Sequence, residues 1–156
     1  DWQLRYLGAA APLSASLRAK YALITMDVAW ALLELRLHDD PTRDPNAEWA
    51  AITSEYFHIR PHPEWGWWAM RGQLVESPGY MMNYAIGAMV TAELRAHVRQ
   101  ERGPFHRPDT KMYGWLSGQL YRFGRSRPSR DVLRDFVGHS LTADALVADM
   151  RRLSSP

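Results

Sequence analysis

The chain has no cysteine among its 156 residues. Disulfides, thiol catalysis and cysteine-ligated metals are therefore excluded. The absence fits a reducing compartment, and a cytoplasmic location is the expectation. Long apolar runs are also missing. The longest, Met81 to Leu94, is broken by Asn83, Tyr84 and Glu93, and it falls short of the about 20 residues a membrane-spanning helix needs. No membrane partner is expected. The N-terminal stretch DWQLRYLGAAAPLS has no basic start followed by an apolar run, so it does not read as a secretory leader, and it begins at Asp1 without Met. Charge of one sign is scarce too. Nineteen Lys and Arg face 17 Asp and Glu, a net of +2, which gives no strong field for nucleic acid or an acidic substrate. There is no HExxH, no Gly-rich phosphate loop, no Ser-His-Asp signature and no paired-carboxylate signature. Asp39-Asp40 sits at a helix end and reads as a solvated pair.

What is present is apolar and aromatic. The apolar share is 46%, with seven Trp and seven Tyr, enough for a core built from bulky side chains or for an interface. No β alternation of useful length occurs, and an all-α multi-helix bundle is expected, forming one unit over residues 1–156. Ser14 or Ser16 can cap a long helix to about His38. In it Leu17, Tyr21, Ile24, Val28, Ala31 and Leu35 recur at the helical period. HDDPTRDPN (38–46) is a turn cluster, and Asp44-Pro45 is a good N-cap and first-turn pair for a helix to about Phe57. Trp49, Ile52 and Tyr56 share one face of it. HIRPHPEWGWW (58–68) reads as a structured loop. Ser77-Pro78 starts an apolar helix to about Arg102, stopped by Gly103-Pro104. Asp109 or Thr110 caps a helix to about Phe123, RFGRSRPSR (122–130) is a loop, Ser129 caps a helix ending at Gly138, and Thr142 caps a last helix to Leu153.

Each candidate site has a plainer structural explanation beside it. His58 and His62, with Glu55 and Glu64 nearby, have a spacing that suits zinc only on a helix, and Pro61 between them breaks that geometry. Arg122, Arg125, Arg127, Arg130 and Arg134 run beside Tyr121 and Phe123. Such a patch can contact phosphate, but pairing with Asp131 and Asp135 in a solvated loop is favoured, and nucleic acid is not expected as a partner. Trp65, Trp67 and Trp68 precede the apolar helix; as a group they can line a pocket or plug the core, and the plug is favoured. Tyr80 and Tyr84 lie one turn apart on that helix. Phenols can donate to a developing oxyanion, although such a pair is more often core packing.

The segment Gly79-Tyr80-Met81-Met82-Asn83-Tyr84-Ala85-Ile86-Gly87 resembles the GYFPTYxLG segment of carboxypeptidase Taq-type zinc metallopeptidases. Its G-Y-x-x-x-Y pattern is also similar to the substrate-side tyrosine segment of thimet-type oligopeptidases. Residues 21–40 and 48–59 look like the carboxypeptidase family's long helix and the Trp-containing helix after it, and DFVGHSLTADALVADM (135–150) looks like the FLGR…ALL-type ending of the thimet group. Most of the chain is covered, and only the tyrosine segment is sharp.

The resemblance implies the C-terminal helical portion of a zinc metallopeptidase, in which the zinc helix lies upstream and this portion forms one wall of the substrate cleft. Tyr80 and Tyr84 match the tyrosines that bind substrate or stabilise the tetrahedral intermediate. Zinc would polarise the scissile carbonyl in a full-length parent; none is expected in this chain. The family pattern GxxQDxHW, counted without gaps, falls on Gly66 to Gln73, where only the first glycine survives and the histidine becomes Gly72. The thimet-type histidine falls at Val75. Arg71 and Gln73 are the candidates for the missing donor, and an arginine suits a peptide C-terminal carboxylate. With Trp68 they form the expected substrate-binding set, and Tyr80 and Tyr84 the expected catalytic pair. Peptide is the expected substrate, and the chain alone is not expected to hydrolyse it. The other expectation is a non-catalytic helical domain that binds a partner chain or a second copy of itself.

Overall fold

A computed structural model describes residues 13–154, and all secondary structure in that range is helical. The α-helices are α1 (Leu13–Asp39), α2 (Pro45–Phe57), α3 (Gln73–Glu76), α4 (Met82–Arg102), α5 (Met112–Gln119), α6 (Ser129–Val137) and α7 (Asp144–Ser154). Single 3-10 turns run over Trp67–Met70 and Tyr121–Phe123. No helix among the described residues is long and apolar enough to cross a membrane. The chain gathers into two compact units. One covers residues 19–87; the other covers residues 88 onward together with the first turns of α1.

In the first unit, local chemistry sets the ends of α2. The Asp44 carboxylate accepts from the amides of Asn46 (2.8 Å) and Ala47 (3.1 Å), and Pro45 occupies the first turn, where its missing N–H costs nothing. The helix closes at His58, which adopts a left-handed conformation (φ 56°). Trp49 and Ile52 face inward and are fully buried, whereas Tyr56, expected on the same face, is exposed. The core is aromatic. Trp30 of α1 stacks on Trp49 with ring centroids 5.3 Å apart, and Trp67 meets both edge-on at 6.2 and 4.8 Å. Of the three loop tryptophans, Trp67 and Trp68 pack against this core. Trp65 instead stacks on His62 at the surface.

Two expectations for this unit need correction. The stripe Leu17, Tyr21, Ile24, Val28, Ala31, Leu35 is not a uniform core face, because Val28 and Leu35 are exposed while Ala29, Trp30, Leu33 and Glu34 are buried. The buried side of α1 mixes small apolar, aromatic and acidic residues, namely Ala29, Ala31, Leu33, Trp30 and Glu34, so apolar periodicity alone does not locate it. Secondly, α4 begins at Met82 and not at Ser77-Pro78. Residues 77–80 close a turn in which the Tyr80 amide donates to the Ser77 carbonyl (3.0 Å). Gly79 there has φ +85°, a left-handed conformation that a side chain would strain.

The second unit has its own core, with Val98 of α4, Val132 and Phe136 of α6 and Leu146 of α7 buried. His97, Trp115 and Phe136 form an aromatic cluster at centroid distances of 4.7 to 6.3 Å. Polar ties hold the loops. Arg102 grips Asp109 through two bonds of 2.8 Å, Arg95 pairs with Asp149, and Thr142 donates to the buried Glu93 carboxylate at 2.9 Å. Pro128, not Ser129, occupies the N-cap of α6, and Gly138 ends that helix in a left-handed conformation.

Candidate functional site

The candidate residues are assembled along one face of α1. Asp27, Trp30 and Glu34 are spaced at three and four residues, so they line a single helical stripe. The segment 71–84 lies against it. The Arg71 guanidinium donates to Asp27 Oδ1 at 3.0 Å and sits over the Trp30 ring at 4.2 Å, with the Tyr84 ring 5.8 Å away. Ion pair and cation–π contact together hold this planar cation in place. Gln73 Nε2 donates to the Tyr84 hydroxyl at 3.4 Å. Since Tyr84 accepts there, its own proton is left to be donated elsewhere. The Tyr80 and Tyr84 rings meet edge-to-face, 5.7 Å between centroids, and Tyr80 is 44% exposed. Tyr80 lies in the turn before α4, so this contact comes from the turn and not from two positions of one helix.

The turn is held by Glu34. Its side chain is 1% exposed, yet its two oxygens accept from backbone amides on either side of Tyr80: Gly79 N–H at 2.6 Å and Met81 N–H at 2.9 Å. These bonds explain why α4 starts late.

Of the residues expected from sequence, Arg71, Gln73, Tyr80 and Tyr84 are therefore brought together. Trp68 is not among them. Its indole N–H donates to Asn46 Oδ1 of α2 at 2.6 Å, and the ring lines a concavity of about 500 Å³ with Glu34, Leu37, His38, Arg43 and Leu74. Asp27, Trp30 and Glu34 went unrecognised. The available signal is two acidic side chains seven residues apart, flanking a tryptophan in the otherwise uncharged stretch 21–35.

The zinc implied by the family resemblance finds no ligand set in these residues. Among the described residues no group of three or more His, Asp or Glu side chains could hold a metal ion. His58 caps α2, and His62 bonds Glu64 (2.7 Å) while stacking on Trp65. No chemical step is derived through the metal. In the arginine run, Arg127 bonds Asp135 at 2.5 Å and lies over the Phe123 ring, and Arg134 faces Asp131 and Asp135. Hydrogen bonding from Arg127 holds the Asp135 carboxyl below its ordinary range.

On the other flank of α1 lies an apolar groove of about 450 Å³. Val28, Leu32, Leu35, Tyr56, Ala85 and Ile86 are among its walls.

Comparison with known proteins finds a stretch of 76 residues 26% identical to thermostable carboxypeptidase 1 of Pyrococcus furiosus. The match covers 46% of this chain and 15% of that protein, so the chain spans a small part of the relative's length. No family model matches, and no solved structure matches. The likeness is a distant one to a carboxypeptidase.

Proposed function

We propose that residues 71–84 form the substrate-side wall of a peptide-binding cleft in a zinc-metallopeptidase-like protein, and that this chain binds peptide without hydrolysing it. The observation that carries this is the convergence of one cation and three neutral hydrogen-bonding side chains on a single wall: Arg71, Gln73, Tyr80 and Tyr84. The distant likeness to a carboxypeptidase supports the same reading. Arg71 takes the peptide's C-terminal carboxylate. One terminal nitrogen bonds Asp27, and the remaining guanidinium N–H groups are geometrically suited to a carboxylate. The Tyr84 and Tyr80 phenols donate to the peptide carbonyl, where negative charge would build during acyl transfer. In a full-length parent, zinc and a general base would come from residues outside this chain. A cytoplasmic setting belongs to the same reading and rests on the absence of cysteine.

The test is calorimetric binding of acetyl-Ala-Ala-Phe as the free acid and as the C-terminal amide. The free acid is expected to bind with Kd of about 1 mM or tighter and at least ~10-fold better than the amide. Arg71→Leu should erase the difference. Equal binding of acid and amide, or none up to ~10 mM, removes the reading.

A second reading, a helical interaction or self-association domain, rests on the apolar groove beside α1. Its test is the oligomeric state.

A further inference from the structure

Glu34 is the one buried carboxylate on the face of α1 that carries the candidate site, and the proposed binding of peptide leaves it without a task. Burying a carboxylate costs several kcal/mol unless it is paired or fully hydrogen-bonded. No ion pair engages Glu34 among the described residues, and its compensation comes from the Gly79 and Met81 amides, at the positive end of α4. Apolar packing alone would be served by a leucine, as at the neighbouring buried Leu33. A carboxylate does something a leucine cannot. It presents two acceptors at a fixed separation and so holds two peptide planes at once.

The two amides belong to the residues on either side of Tyr80. The Tyr80 amide donates to Ser77 and its carbonyl accepts from Asn83 at 2.9 Å. With the Glu34 bonds on either side, the backbone of residues 79–81 is bonded at four points, while the Tyr80 ring stays partly open to solvent. We infer that Glu34 is a positioning residue: from α1 it sets the turn that aims the Tyr80 phenol beside Tyr84. This rests on Tyr80 being a peptide-contacting residue, and the experiment below separates the two.

In the wild-type chain, NMR hydrogen exchange should show the Gly79 and Met81 amides protected by ~100-fold or more over their intrinsic rates. A glutamine at position 34 can accept from one amide only, because its other head atom is itself a donor. Glu34→Gln should therefore lower protection of Gly79 or Met81 by ~10-fold or more and move the ring-proton shifts of Tyr80 and Tyr84. Affinity for free-acid acetyl-Ala-Ala-Phe should fall by ~5–10-fold. Val98→Ala, a core truncation in the second unit, is the control for plain loss of stability. It should leave the two ring signatures and the peptide affinity unchanged.

If Glu34→Gln does not fold, the same readings are taken on Glu34→Asp, which keeps the charge but shortens the reach. Unprotected Gly79 and Met81 amides in the wild type overturn the inference without any variant. So do unmoved Tyr80 and Tyr84 rings in Glu34→Gln, or moved rings with peptide affinity intact. A wild-type chain that binds no peptide removes the cleft reading alone, because amide protection and ring shifts still report whether Glu34 sets the turn.

Discussion

Arg71 engages two partners with different distance laws, which is why it is the most informative single residue to change. The Asp27 pair is about one-third exposed, with side-chain exposures of 32% and 26%, so the Coulomb part is small and screened by salt. The contact over Trp30 at 4.2 Å is shielded by the core beneath it and persists in salt. Arg71→Ala is therefore expected to cost about 1–2 kcal/mol in urea unfolding. Arg71→Lys, which keeps the charge but not the plane, should recover only the salt-sensitive part. If the loss vanishes at high salt, the stacking contact is worth nothing. Glu48 permits a similar argument about pH. Hydrogen bonding from Arg43, joined by Arg36, holds its carboxyl below the ordinary range. The folded state then binds fewer protons than the unfolded one. The stabilisation is complete above the unfolded value of about 4.3 and is lost as pH falls through the lower folded value. Thermal melts of Glu48→Gln should accordingly approach those of the wild type as pH drops from about 6 toward about 3. A gap in melting temperature that stays constant over that range would show that the pair contributes nothing through ionisation.

Among the elements, the ends of α2 and the start of α4 obey different rules. The Asp44 cap acts over two and three residues, so side chain and backbone meet whatever else the chain does. It was legible for that reason, as were the Gly138 stop of α6 and the approximate span of α1. Asp44→Ala should destabilise the chain by about 1 kcal/mol, and Asp44→Ser should restore most of it; a neutral Asp44→Ala in chemical unfolding would show that the cap is dispensable. The start of α4 is decided by a carboxylate 45 and 47 residues away from the amides it binds. Arg71 likewise finds Asp27 across 44 residues. Neither contact leaves a trace in local periodicity. Local signals accordingly predict a helix from Ser77 with Tyr80 inside it, whereas the helix begins at Met82. The site was half legible in the same sense. Arg71, Gln73, Tyr80 and Tyr84 carry recognisable chemistry on a short segment, whereas nothing local to Asp27, Trp30 and Glu34 marks them as the stripe that receives it. Trp68 is close to them in sequence, but its indole N–H donates to Asn46.

Across the whole molecule, α1 divides two surfaces of opposite character within residues 19–87. One flank carries the charged and phenolic side chains of the candidate cleft. The other is the groove walled by Val28, Leu35, Tyr56 and Ile86, which are exposed large apolar side chains. Its lining residues include no Asp, Glu, Lys or Arg, so no charge pattern selects a partner, and a second copy of the same face is the simplest complement under two-fold symmetry. A groove of this size alone buries less than the roughly 800 Å² per partner of a stable complex, so if copies pair there the pairing is predicted to be weak and concentration-dependent. Sedimentation should show a dimer growing in as the protein is concentrated from ~10 µM toward ~0.5 mM. Leu35→Arg combined with Ile86→Arg should abolish it. Because both positions are exposed, the double variant should change unfolding free energy by no more than about 1 kcal/mol, so a monomer would report loss of the interface and not loss of the fold. A wild type that stays monomeric over the full range leaves the groove without that role. Dimers that persist in the double variant would place the contact on another face.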